Sequence, residues 1–274
     1  MHRLDAEVIR RIIDEAAAAR LGDLEIFEEI ASTNSYLMRE TVPVAGRTRI
    51  AATDKQTAGR GRHGRTWQSP PGSGLCLSMA YTFLKQPENL SALTLAMGLG
   101  AAKAMQALGV DGVKLKWPND LVFKGGKLGG ILTEAQAQAG DTVTVVTGIG
   151  LNIDLGERAD FRIEKDGPLG VVDLKRHVAE LPDRNRIAAT LVSGMSKTFV
   201  DYEAGGFGEF ADRWSEYDWL LGRELTIDLA QRQLSGIAAG VADDGALLID
   251  TPSDGRHRVT SGSVAMAGGR GNDL

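Results

Sequence analysis

The sequence predicts an α+β fold in which a mixed, largely antiparallel sheet with flanking helices is followed by a small, barrel-like all-β unit. Three observations predict it. Hairpin-like strands follow one another between residues 113 and 150, helical patterns at 4–20, 91–108 and 184–217 flank them, and beyond Gly222 the texture changes to short β-rich pieces separated by Asp-Gly turns. The 274 residues are 43% hydrophobic and 24% charged, the proportions of a chain that buries a core, which excludes global disorder. A large domain over 1–221, a small β domain over 222–266 and a disordered tail over 267–274 are expected.

From residue 4 to 20, Leu4, Val8, Ile9, Ile12, Ile13 and Ala16 recur at three- and four-residue steps, one face of an amphipathic helix ending near Gly22. A strand over 24–30 leads to Ser32-Thr33-Asn34, residues that favour N-caps and turns, and to a helix over 35–40. Residues 49–56 are extended. From 57 to 74, five glycines, two prolines and three arginines without periodicity make a long loop, of a length that is functional or disordered. A buried strand (75–83), an apolar helix (91–108) and a strand (113–117) come next. Gly125-Gly126 reads as the turn of a hairpin joining 121–124 to 127–136, and 141–146 alternates as a strand ending in Gly148-Ile149-Gly150. After a polar, irregular stretch over 156–170, helices are expected at 184–202 and 207–217. Strands then follow at 224–229, 233–241, 246–250 and 257–260, with turns at Asp244-Gly245 and Asp254-Gly255.

The net charge of −5 gives no bulk attraction to nucleic acid or to a membrane surface. A single cysteine, Cys76, sits in an apolar stretch; it excludes an intramolecular disulfide and a cysteine-based metal cluster, and reads as core. No signal peptide and no stretch of membrane-spanning length is evident, so a cytoplasmic protein is expected. The 34 glycines, about 12% against roughly 7% in ordinary chains, are concentrated: 16 of them fall between Gly59 and Gly150. Glycine lets backbone approach a ligand closely, so this is where a site is expected.

Gly59-Arg60-Gly61-Arg62-His63-Gly64 matches the letters of a dinucleotide-binding fingerprint, but Pro70-Pro71-Gly72 follow where a helix should begin, and no acidic residue stands about 20 positions on. The same segment misses a Walker A loop, with Arg65 in the lysine position and again no helix after it. What the loop offers is three guanidinium groups, Arg60, Arg62 and Arg65, suited to phosphate or carboxylate. Two further clusters stand out. Lys116-Trp117-Pro118-Asn119-Asp120 ends one strand, and Lys127-Leu128-Gly129-Gly130-Ile131-Leu132 begins another.

In order along the chain, Ser32-Thr33-Asn34, Gln56, the Gly59-to-Trp67 loop, Lys116 to Asp120, Lys127 to Leu132 and Gly148 to Asn152 resemble the catalytic domain of the biotin protein ligases. The β-rich segment from Gly222 is similar to that family's small SH3-like C-terminal domain. The resemblance implies a class II synthetase-like catalytic domain and an ATP-dependent ligase. Such an enzyme joins biotin to ATP, giving biotinyl-5′-AMP and pyrophosphate, and then transfers biotin to one lysine of a biotin carboxyl carrier domain. That carrier belongs to a biotin-dependent carboxylase such as acetyl-CoA carboxylase.

Carried over residue by residue, the resemblance assigns biotin binding to Ser32, Thr33, Asn34, Gln56, Gly59, Arg60, Gly61, Arg62, Lys127, Gly130 and Gly148. Arg62, Arg65, Trp67, Asn119, Asp120, Lys127 and Asn152 are implied on the ATP and adenylate side, with Lys127, Arg62 and Asp120 catalytic. Lys127 would place a fixed cation between the biotin carboxylate and the α-phosphate. Asp120 would either hold Mg²⁺ indirectly or take a proton from the acceptor lysine. No direct metal site is implied, only Mg²⁺ arriving with ATP near Asp120 or Asn152. About 31 residues precede Ser32, room for one helix and one strand, so the helix-turn-helix domain that makes some members repressors is not expected, nor is DNA binding. A monomer or weak homodimer is expected. A lipoate or octanoate ligase or transferase is the alternative within the superfamily, against which the arginine loop speaks. A nucleic-acid-binding module using that loop is the alternative from another class.

Overall fold

The computed structural model describes residues 3–137, 141–156, 169–229 and 232–266; the tail over 267–274 and most of the irregular stretch over 156–170 lie outside the described residues. The N-terminal pattern forms two helices, α1 (Ala6–Ile12) and α2 (Glu15–Arg20), where one over 4–20 was expected. Asp14 is the reason. Its backbone is extended and its carboxylate accepts a hydrogen bond from the Ala17 amide at 2.7 Å, starting a new helix as Asp5 starts the first through the amides of Glu7 and Val8.

Strand β1 (Leu21–Ile26), shifted toward the N-terminus from the expected 24–30, leads through α3 (Thr33–Leu37) to β2 (Thr48–Thr53), which runs parallel to it. β3 (Gly74–Phe83), α4 (Leu93–Ala107), β4 (Lys114–Lys116), β5 (Asp120–Phe123), β6 (Gly126–Ala137) and β7 (Val143–Asn152) follow, then α5 (Arg184–Gly205) and α6 (Gly208–Tyr217). The seven strands form one sheet in the order β1-β2-β3-β7-β6-β5-β4, antiparallel apart from the β1–β2 pair. The β5–β6 turn falls on Lys124-Gly125, not Gly125-Gly126. Both turn residues have positive φ, 49° and 81°, the backbone that a two-residue hairpin needs to match strand twist.

Every residue of β3 is buried. Its alternation divides the core: Leu75, Leu77, Met79, Tyr81 and Phe83 join the main cluster with α4 and α5, while Ala80 meets Leu37 of α3, Ala51 and Val146 on the other face. The chain then builds a second, five-stranded antiparallel sheet from β8 (Glu224–Leu229), β9 (Arg232–Val241), β10 (Leu247–Thr251), β11 (Gly255–Val259) and β12 (Ser263–Met266), ordered β11-β10-β9-β8-β12. The sequence reading omitted β12, which is only four residues long. Leu225, Ile227, Leu247 and Ile249 are fully buried in the same cluster as the first sheet's core, and the Trp117 indole N–H donates to the Gly245 carbonyl at 3.0 Å. The second sheet is thereby fixed beside the turn that carries Trp117, Pro118 and Asn119.

Because Asp14 supplies the N-cap that starts α2, Asp14→Ala is expected to lower stability by about 1 kcal/mol. The urea midpoint checks this, with an unchanged midpoint as the contrary result.

Candidate active site

Strand alternation sets Ser78 of β3, Gly148 and Gly150 of β7, and Gly130 and Leu132 of β6 on the sheet face that α4 and α5 do not cover. A cleft of about 250 Å³ opens over this floor. Its walls are the start of α3, Gln56, the arginine loop, the turn after β4, Lys127 and, from the second sheet, Asp228 and residues 262–265.

One end is neutral and hydrogen-bonding. Ser32 caps α3, its hydroxyl accepting from the Ser35 amide at 3.3 Å, which turns Thr33 and Asn34 inward. The Gln56 side-chain carbonyl accepts from the Thr33 amide at 2.8 Å. Thr33 and Ser78 hydroxyls lie 2.6 Å apart, and Ser78 donates to the Asn34 side-chain oxygen at 2.6 Å. Ser32, Thr33, Asn34 and Ser78 are buried and Gln56 is half-buried. Only glycine fits at 148: a Cβ there would fall on the Asn34 side-chain oxygen.

The other end is cationic. Asp120 bonds Lys127 at 3.0 Å and faces Lys116 at 3.9 Å, and all three side chains are largely buried. Burial pulls the Arg62 guanidinium below its usual range, opposed by Asp120 and reinforced by Arg65. Asp120 is thus the carboxylate around which Lys116, Lys127 and Arg62 gather. Lys127 is held through its backbone: its amide donates to the Gly170 carbonyl at 2.7 Å, and its carbonyl accepts from Val172 at 3.0 Å and from the Asn152 side chain at 3.3 Å.

The arginine loop over 57–74, read from sequence as aperiodic, closes on itself. Gly61 and Trp67 amides donate to the Arg65 and Gly59 carbonyls at 2.8 and 2.9 Å, and Arg62–Gly64 form one tight turn with His63 at φ 55°. Arg184, buried, ties the loop's end to the fold by donating to the Gly72 carbonyl at 2.7 Å and to Asp54 at 2.9 Å. The Trp67 ring lies over Gly150, where a Cβ would penetrate the indole.

The cleft brings together Ser32, Thr33, Asn34, Gln56, Arg60, Gly61, Arg62, Arg65, Trp67, Asn119, Asp120, Lys127, Gly130 and Gly148. Gly59 and Asn152 are not among its lining residues. Gly59 sits against the Trp67 carbonyl inside the loop hairpin, and the Asn152 amide is turned to the Lys127 carbonyl, so Asn152 meets the cleft through Lys127. Asn119 lines it, but its amide donates to the Ile131 carbonyl at 2.9 Å, clasping the turn to β6. Sequence reasoning assigned no role to Lys116 beyond its motif and missed Ser78, Asp228 and residues 262–265. Lys116 carried a signal, its place in the Lys-Trp-Pro-Asn-Asp cluster; the others carried none, because long-range packing brings them in. Cys76 also lines the cleft, its thiol 3.0 Å from the Ser69 hydroxyl, and burial pushes it up to about 11. Among the described residues no three acidic, histidine or cysteine side chains gather to hold a metal.

A seven-stranded mixed sheet with a two-ended, glycine-floored cleft and an attached five-stranded unit places the chain in a definite class. Residues 26–152 match the model of the biotin/lipoate A/B protein ligase family, and 220–266 that of the biotin protein ligase C-terminal domain. The bifunctional ligase/repressor BirA of Salmonella typhimurium is 33% identical over 248 residues, covering 90% of this chain and 73% of that protein. The biotin--[acetyl-CoA-carboxylase] ligase of Mycobacterium tuberculosis is 29% identical, covering 88% and 89%. The biotin protein ligase from Aquifex aeolicus, solved in complex with biotin and ATP, superposes with a TM-score of 0.72 at 27% identity, covering 89% of this chain and 97% of that one. The chain belongs to the biotin protein ligase family.

The buried Cys76 thiol is expected to react with Ellman's reagent at pH 8 only as fast as the fold opens, and at once in urea; rapid labelling of the folded chain would contradict its placement. Its folded value lies above the ordinary value of 9.0. The neutral thiol therefore favours folding below about pH 9, and that contribution is lost as pH rises toward about 11.

Proposed function

We propose that the two ends of the cleft hold the two halves of a biotinyl adenylate, and that the chain is an ATP-dependent biotin--[biotin carboxyl-carrier protein] ligase. The single observation that carries this is the chemical polarity of the cleft. Hydroxyls and amides of Ser32, Thr33, Asn34, Gln56 and Ser78 suit a neutral, hydrogen-bonding ureido head, and the cluster of Arg62, Arg65, Lys116 and Lys127 suits a carboxylate beside a triphosphate. Arg60 and Gly61 close the loop over the biotin side, with Gly59 shaping that loop.

In the first step a biotin carboxylate oxygen attacks the α-phosphorus; the new P–O bond forms as the bond to pyrophosphate breaks, and a mixed anhydride results. Two anions must be brought together, and Lys127 lowers their repulsion. Asp120 aims Lys127 through its 3.0 Å bond, and Asn152 through the strand carbonyl. Arg62 and Arg65 balance charge on the departing pyrophosphate, Trp67 packs against the adenylate, and Asn119 holds its turn. Magnesium, arriving with ATP, neutralises phosphate charge. Asp120, already shared by two lysines, is the carboxylate that would face the ion from this end of the cleft. In the second step the acceptor lysine's neutral ε-amine attacks the acyl carbon; the C–N bond forms as the bond to the AMP oxygen breaks, and the amine's proton is released to solvent as AMP leaves.

The substrate protein in this reading is a biotin carboxyl carrier domain of a biotin-dependent carboxylase such as acetyl-CoA carboxylase. Among the described residues no helix is long and apolar enough to cross a membrane.

Purified chain with biotin, ATP and Mg²⁺ is expected to form biotinyl-5′-AMP and to label a carrier domain on its acceptor lysine, read by streptavidin blotting; lipoate is expected to give no transfer. Lys127→Ala is expected to lower adenylate formation by about 10²–10³-fold, the worth of a preorganised charge in a transition state, with the melting temperature little changed. Full activity in that variant would overturn the mechanism, and absence of biotin transfer by the unmodified chain would overturn the function.

A further inference from the structure

Glu134 of β6 does not line the cleft, yet it touches both the loop that closes it and the residues that line its neutral end. One carboxylate oxygen accepts from Arg60 at 2.6 Å; the other accepts from the Asn34 side-chain amide at 3.0 Å. Arg60 also donates to the Ser35 hydroxyl at 3.0 Å, so the loop is pinned to β6 and α3 together.

The bond to Asn34 has a directional consequence. Glu134 and the Leu132 carbonyl, 3.1 Å away, are both acceptors, so they claim the Asn34 NH₂ and turn its oxygen to Ser78. Ser78 must then spend its one proton on Asn34, at 2.6 Å. In the 2.6 Å contact between the two hydroxyls, Thr33 is therefore the donor. Its 3.2 Å approach to the Gln56 oxygen is left without that proton, and Gln56 is held by the Thr33 amide instead. Every hydroxyl proton in the relay runs toward Glu134, and the lone pairs of Thr33 are what the cleft presents.

We infer that Glu134 is a specificity-determining positioning residue: it sets the hydrogen-bond polarity of the neutral end so that this end accepts from ligand N–H groups. The inference rests on the biotin reading and deepens it. A ureido ring supplies two N–H donors; a dithiolane ring supplies none. A site built of acceptors favours the first and leaves its lone pairs unpaired by the second, a mismatch that costs a bound ligand strongly.

The test compares biotin with biotin methylated on a ureido nitrogen, by calorimetry on the full chain, in the unmodified protein and in Glu134→Gln and Ser78→Ala. Ser78→Ala removes one small buried hydroxyl and keeps Glu134, so it covers a failure of Glu134→Gln to fold. Unmodified protein is expected to prefer biotin over the methylated form by 100-fold or more, by analogy with sites that require a ligand N–H. Each variant is expected to bind biotin at least tenfold more weakly and to shrink that preference at least fivefold, with ATP affinity within twofold. A variant that weakens both ligands by one common factor, or leaves biotin affinity unchanged, would overturn the inference while the ligase reading stands. No biotin binding by the unmodified protein would overturn that reading and the inference with it.

Discussion

Among the described residues the Asp120 carboxylate bonds Lys127 at 3.0 Å, faces Lys116 at 3.9 Å and opposes the desolvation of Arg62, and the cationic end of the cleft is built around it. Removing such charges from water costs several kcal/mol per ion unless partners and hydrogen bonds compensate. Arg62, Arg65, Lys116 and Lys127 gather with Asp120 at this end of the cleft. Four cationic side chains at one end of a cleft suit a negatively charged ligand.

The scaffold keeps those groups in place through their backbone as well as their side chains. Lys127 is fixed by three main-chain and amide contacts, to Gly170, Val172 and Asn152, and Asp120 by its register opposite Gly130 at the start of β5. Asn119 clasps the turn to β6, and Trp117 bonds the carbonyl of Gly245 in the second sheet. The five-stranded unit is thus bonded to the turn that precedes Asp120. The same unit closes the cleft with residues 262–265, and Arg65 approaches the Ser263 hydroxyl at 3.5 Å.

At the neutral end the constraint is steric and directional. Gly148 makes room for the Asn34 oxygen and Gly150 for the Trp67 ring, so the glycine concentration read from the sequence acquires two specific causes. The arginine loop gains its shape in a comparable way: its base is held by Arg184 and Asp54, its flank by Arg60 on Glu134, and its turn by the left-handed backbone of His63 and Gly64.

The sequence by itself determined the element types, the β5–β6 hairpin, the change of architecture near Gly222 and most of the cleft residues, because these depend on local periodicity, turn chemistry and motifs contiguous in the chain. It read the 4–20 helix as one because apolar spacing continues through Asp14, whereas the cap acts through a single hydrogen bond. It omitted β12 because four residues carry too little pattern. Only the tertiary structure decided that Asn152 serves Lys127 from behind, that Gly59 stays within the loop, that Lys116 shares Asp120, and that Ser78, Glu134 and residues 262–265 complete the site. Apart from the Lys116–Asp120 and Gly59–Trp67 contacts, these join residues tens to more than a hundred positions apart. Their partners are chosen by strand register and packing, which no local pattern encodes.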